Sequence, residues 1–85
     1  MKIIKINAVW CPGCLVMKKI WKQIKEMYPH LDITEYDYDM DKEVVSKYEV
    51  GKILPVTIFI KDNEERRLVG EKTKEEIITI IEELQ

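Results

Sequence analysis

Trp10-Cys11-Pro12-Gly13-Cys14 is the stretch that most restricts how this chain can fold. It holds the only two cysteines, separated by two residues, at the point where a β-patterned run gives way to a helix-patterned one. A helix begins with unpaired backbone N–H groups and the positive end of its dipole, so a sulfur on its first turn is held more easily as a thiolate. The thiolate is the nucleophile in thiol chemistry. A second thiol about one turn further along is placed to attack any mixed disulfide that the first one forms. The remaining residues read as a scaffold for that pair.

The periodicity predicts the order βαβαββα. Lys2 to Ala8 alternates as a strand, with Ile4, Ile6 and Ala8 on one face and Ile3, Lys5 and Asn7 on the other. Pro12 suits the first helical position, where its missing N–H is no loss. Val16, Ile20, Ile24 and Met27 then recur at helical spacing, broadened by Met17 and Trp21, until Pro29 stops the helix after Tyr28. Leu31 to Tyr38 reads as a second strand. Asp39-Met40-Asp41 offers an N-cap for a short helix carrying Val44, Val45 and Tyr48, and Gly51 suits its C-terminal turn. Val56 to Ile60 is apolar on both faces, as a central strand should be. Asp62-Asn63 signals a turn into an antiparallel edge strand, Glu65 to Val69, whose Arg66 and Arg67 suit an edge. Thr73 and Glu76 form a capping box for a last helix whose inner face is Ile77, Ile78, Ile81 and Leu84.

Eighty-five residues make one domain, 1–85. A chain this short buries only about 60% of its unfolded surface, so the core is modest. Hydrophobic residues at 46% and charged residues at 35% are those of an ordinary globular domain, without linker or low-complexity segment. The apolar runs are strand length and no cleavable leader is legible, so the expectation is a cytoplasmic protein away from membranes. A net charge of −2 argues against nucleic-acid binding, which needs a concentrated basic surface. The charge is uneven, however: residues 1–28 carry a balance of +5 and residues 29–85 a balance of −7. Lys18, Lys19, Lys22 and Lys25 read either as the solvated face of the cysteine-bearing helix or as a surface that steers acidic partners.

Several further features occur in an order shared with a known family. They are Tyr36-Asp37-Tyr38-Asp39 at a strand end, Tyr48 with Val50, Leu54-Pro55, the Phe59-Ile60-Lys61-Asp62-Asn63 strand and turn, and Leu68-Val69-Gly70. With Trp10-Cys11-x-x-Cys14 they give a chain that resembles small thioredoxin-fold proteins, close in length to glutaredoxins and nearer thioredoxins around the motif. The resemblance implies an α/β thioredoxin-like fold, a four-stranded mixed sheet flanked by three helices. It implies a thiol–disulfide oxidoreductase in which Cys11 is the nucleophile and Cys14 the resolving thiol, with Trp10, Pro12 and Gly13 shaping the site. It further implies that Pro55 is cis and faces the cysteines across a substrate groove, that the Leu54 backbone pairs with a bound peptide, and that Gly70 leaves room for it. Read without the family, Pro55 is a proline opening a strand.

The chain also departs from the family pattern. Its dipeptide is Pro12-Gly13, where thioredoxins usually have Gly-Pro and glutaredoxins Pro-Tyr, and the Val50–Pro55 loop is one residue longer than in typical thioredoxins. Lys5 stands six residues before Cys11, where thioredoxins commonly carry a buried acid. Two readings of Lys5 follow: a side chain that snorkels to water, or an amine beneath the motif that exchanges a proton with Cys14. The expected partners are protein disulfides, with a thioredoxin reductase or glutathione as electron donor, and the expected state is a monomer. No cofactor beyond a Cys11–Cys14 disulfide is called for. The alternatives are a glutathione-dependent, glutaredoxin-like oxidoreductase and, further off, a CxxC metal carrier. Ile53-Leu54-Pro55 replaces the Thr-Val-Pro of glutaredoxins. Two cysteines and the lone His30 fall short of the four ligands of structural zinc, and no metal site is expected.

Overall fold

Strand β1 (Lys2–Asn7) is the strand around which the sheet is built. In the computed structural model, which describes residues 1–85, it pairs in parallel with β2 (Asp32–Asp37) and antiparallel with β3 (Val56–Lys61). β3 pairs antiparallel with β4 (Glu64–Val69), giving the order β2-β1-β3-β4. Helix α1 (Pro12–Met27) crosses from β1 to β2, α2 (Lys42–Lys47) connects β2 to β3, and α3 (Lys74–Leu84) closes the chain. The mixed four-stranded sheet with three helices is the architecture the sequence predicted.

The alternation along β1 sends its side chains into two separate clusters. Ile3 packs with Phe59, with Met17, Trp21 and Ile24 of α1, and with Ile77, Ile80, Ile81 and Leu84 of α3. On the opposite face Ile4 and Ile6 pack with Val56 and Ile58 under Val44 and Val45 of α2 and Tyr48, which caps its C-terminus. Fully burying a side chain such as Ile3 or Phe59, both at 0% exposure, stabilises by about 1.5–3 kcal/mol. Phe59→Ala, which would also leave a cavity beside Trp21, costs about 3–5 kcal/mol.

Three local expectations are corrected. The buried stripe of α1 is Met17, Trp21 and Ile24, with Ile20 half-buried, while Val16 and Met27 are 54% and 51% exposed. The helix is rotated so that Met17, Trp21 and Ile24 meet Ile3 and Phe59, which leaves two positions of the expected main stripe, Val16 and Met27, in water. Asp41 occupies the N-cap position of α2 but does not cap it. Its carboxylate instead accepts from the Asp37 N–H, while Asp37 accepts from the N–H groups of Asp39 and Met40, so the carboxylates tie the strand end into a turn. The left-handed residue that ends α2 is Glu49 (φ 50°), not Gly51. The N–H groups of Glu49 and Val50 return to the carbonyls of Ser46 and Val45, satisfying the orphan acceptors two residues before the glycine. The Thr73–Glu76 capping box forms with both reciprocal bonds. Ile80 joins the inner face of α3, and Ile78 is only partly covered.

Candidate active site

The chain leaves β1 at Asn7, turns through Ala8, Val9 and Trp10, and enters α1 at Pro12. Cys11 is thereby the N-cap residue rather than a residue of the first turn, with an extended backbone (φ −92°, ψ 111°). Its sulfur does what an N-cap side chain does, accepting the Cys14 N–H at 3.1 Å. That bond directs an orphan donor of the helix at the Cys11 Sγ, the geometry that favours negative charge on sulfur. Cys11 is 6% exposed, and Cys14 lies one turn along with an intermediate exposure. Burial together with the neighbouring Cys11 thiol pushes the Cys14 thiol up to about 12. The two cysteines are therefore chemically unequal.

Both cysteines line a cavity of about 380 Å³ whose lining also includes Lys5, Trp21, Glu35 and Asp37. Lys5 does not snorkel. It is 5% exposed, its Nζ donates to Glu35 Oε1 at 2.6 Å, and it sits 5.0 Å from the centroid of the Trp21 ring. Burial pulls the Lys5 amine below its usual range, against the opposing effect of Glu35. The bond to Lys5 holds the Glu35 carboxyl below the usual carboxylate range.

The other predicted residues assemble on the same end of the sheet. The Leu54–Pro55 peptide bond is cis. Pro55 faces the motif: a methyl group on Gly13 would rest 3.5 Å from Pro55 Cδ and 3.6 Å from Glu71 Cβ, ordinary contact distances. Leu54 lies outside the ladder and makes no backbone hydrogen bond among the turns and loops. Gly70 donates its N–H to the Pro55 carbonyl at 2.9 Å and has φ +89°, a conformation that side-chain-bearing residues rarely adopt. Large apolar side chains are exposed next to the motif in the chain, Val9 at 94%, Trp10 at 55% and Leu15 at 72%, and Ile53, which lies beside Gly70, is 63% exposed. Nowhere do three or more His, Cys, Asp or Glu side chains converge as a metal-ligand group.

Sequence reasoning missed two residues here. Glu35 faces Lys5 because β1 and β2 pair in parallel with those residues opposite each other, a register that only a long crossover establishes. Asp39 accepts from Trp10 Nε1 at 2.7 Å, and Tyr38 meets the same indole edge-on. The Tyr36–Asp39 strand end was visible in the sequence, but its contact with Trp10 was not.

The sequence matches the thioredoxin family over residues 1–83. It is 31% identical to a thioredoxin of Chlamydia trachomatis over 84 residues, covering 98% of this chain and 81% of that protein. It is 33% identical to thioredoxin H5 of Oryza sativa over 69 residues, 80% of this chain but half the length of that relative. Among solved structures, mitochondrial thioredoxin 3 of Saccharomyces cerevisiae in its oxidised form superposes with a TM-score of 0.86 at 21% identity, covering 98% of this chain and 77% of that one. No helix is long and apolar enough to cross a membrane. A cysteine pair at a strand-to-helix junction, the mixed sheet that carries it and the family match over nearly the whole chain converge: this chain belongs to the thioredoxin family of thiol–disulfide oxidoreductases.

Proposed function

We propose that the protein reduces disulfides of other proteins, with Cys11 attacking and Cys14 resolving. The observation that carries this assignment of roles is the 3.1 Å bond from the Cys14 N–H to the Cys11 sulfur, set against a Cys14 thiol pushed up to about 12. The Cys11 thiolate displaces one sulfur of the substrate, forming a mixed disulfide and releasing a substrate thiolate that takes up a proton. Cys14 then loses its proton and attacks the Cys11 sulfur. The second substrate sulfur leaves as a thiolate and takes up a proton while the Cys11–Cys14 disulfide remains, so the substrate gains two electrons and two protons, and the protein gives up two electrons, the Cys14 proton and the proton that Cys11 lost to solvent on forming its thiolate.

Lys5 and Glu35 serve the second step. A partly desolvated amine exchanges a proton more readily than an ordinary lysine, and as an ammonium it offsets the negative charge forming on Cys14. Leu54, with its free backbone groups beside Pro55, pairs with the substrate main chain, and Gly70 leaves that chain room. Trp10, next to Cys11 in the chain, is held by Asp39 and Tyr38.

The internal disulfide is the only redox group this scheme requires. It is returned to the dithiol by a thioredoxin reductase, in a reducing compartment such as the cytoplasm, where a CxxC pair is catalytic rather than structural. The test is insulin disulfide reduction by the purified protein, coupled either to NADPH through a thioredoxin reductase or to glutathione through its own reductase. Turnover through the thioredoxin reductase is the expected result. Turnover through glutathione alone would favour the glutaredoxin-like alternative, and no turnover in either system would refute the reading.

A further inference from the structure

Four cations on α1 take part in no salt bridge. Lys18, Lys19, Lys22 and Lys25 are all exposed, and the ion pairs of the structure are Lys5–Glu35 and Arg66–Glu83. They are not scattered over a solvated face. With Leu15 and Trp21 they line one shallow groove of about 630 Å³, at whose side the Lys5–Glu35 pair lies. That groove is continuous with the redox cavity, because Lys5, Leu15, Lys18, Trp21 and Glu35 line both. The only carboxylate lining it is Glu35, which Lys5 already engages, and the field of Lys25 and Lys18 also bears on it.

We infer that this groove is a recognition track for the substrate polypeptide, and that it takes disulfides flanked by Asp and Glu on the side that runs along α1. The inference rests on the oxidoreductase reading above and narrows its substrate class. A disulfide sulfur presented at Cys11 leaves the neighbouring residues of its chain to pass over Leu15 and down the lysine row. Lys18 and Lys25 stand seven and fourteen residues beyond Cys11, about 10 and about 20 Å along the helix axis. Extended chain covers those distances in about three and about six residues, so the carboxylates belong about three to six positions from the attacked cysteine. Charge complementarity of this kind acts on the encounter rate and on the choice between substrates more than on tight binding. A polypeptide fits better than a nucleic acid, since the track ends at sulfur and the rest of the molecule carries a balance of −7.

The experiment uses peptides with one cysteine joined through a disulfide to thionitrobenzoate, bearing Glu, Ser or Lys at the third to sixth positions from it. Attack by Cys11 on the peptide sulfur releases the thionitrobenzoate anion, whose absorbance gives the single-turnover rate. At low ionic strength the reduced protein is expected to attack the Glu peptide about tenfold faster than the Ser peptide and to attack the Lys peptide most slowly, with the preference collapsing in high salt. Lys22→Gln/Lys25→Gln lowers the Glu-to-Ser ratio about threefold or more. Lys42→Gln/Lys47→Gln, which removes the same charge from the helix on the other face of the sheet, leaves the ratio unchanged. A wild-type ratio near one, an equal fall of the ratio in both double variants, or competition by a single-stranded oligonucleotide at physiological salt would overturn the track. Failure to attack the Ser peptide at all would overturn the oxidoreductase reading instead.

Discussion

Lys5 and Glu35 share a hydrogen bond of 2.6 Å whose two ends stand in different surroundings: the lysine side chain is 6% exposed and the glutamate side chain 53%. The pair therefore behaves neither as a surface salt bridge nor as a fully buried one. Removing the glutamate leaves a buried ammonium unpaired, whereas removing the lysine leaves a carboxylate that water can solvate.

Glu35→Gln is expected to destabilise the fold by about 1–3 kcal/mol at neutral pH, less than the loss of a fully buried pair because the carboxylate is half in water. The pH dependence has a definite sign. A carboxyl whose folded value is depressed contributes stability that is present above its unfolded value and lost as pH falls through the folded one, so the gap between wild type and variant narrows as pH falls below the ordinary carboxylate range. Urea unfolding at pH 7 and in the acid range reads both. Lys5→Met keeps an apolar stem of similar length and should cost less in stability than Glu35→Gln. It should slow resolution of the mixed disulfide about tenfold, a modest acid–base contribution, while leaving the attack step nearly unchanged. Equal slowing of both steps would reduce Lys5 to a structural part.

Alkylation separates the two sulfurs. With the Cys14 thiol pushed up to about 12, iodoacetamide should modify Cys11 and spare Cys14 across the neutral and mildly alkaline range, with the modified residue identified by mass. Comparable rates at the two sulfurs would contradict the inequality on which the division of roles depends.

Much of this site was legible in the residues. The strand-to-helix junction, the Pro12 start, the Thr73–Glu76 box and the turn at Asp62-Asn63 are local signals, each depending on a few neighbours, and all form where they were read. What was not legible depends on partners distant in the chain. The buried stripe of α1 is chosen by Ile3 and Phe59, and the helix carries enough apolar residues around its circumference to permit more than one rotation. The fate of Lys5 was decided by Glu35, thirty residues away across a parallel pair. Asp41 looked like a cap, but the Asp37 N–H took its carboxylate first.

The glycines make a paired prediction with opposite signs. Gly13 sits within the first turn of α1, where an added methyl meets only ordinary contacts, so Gly13→Ala should stabilise by about 0.5 kcal/mol through helix propensity. Gly70 has φ +89° and an added methyl would clear Ile53 at 3.6 Å, so the cost of Gly70→Ala is backbone strain, about 1–3 kcal/mol. Thermal unfolding of the two variants beside wild type gives both signs in one experiment.

The division of labour between Cys11 and Cys14 is tested most directly by trapping. Cys14→Ser removes the only internal thiol able to release the mixed disulfide, so the variant expressed in cells should accumulate covalent adducts with protein partners, and Cys11→Ser should not. The readout is a non-reducing gel of the affinity-purified variants, with bands identified by mass spectrometry and abolished by dithiothreitol. The expected result is adducts on Cys14→Ser alone, joined through Cys11. Equal adducts on both variants, or none on either, would contradict it.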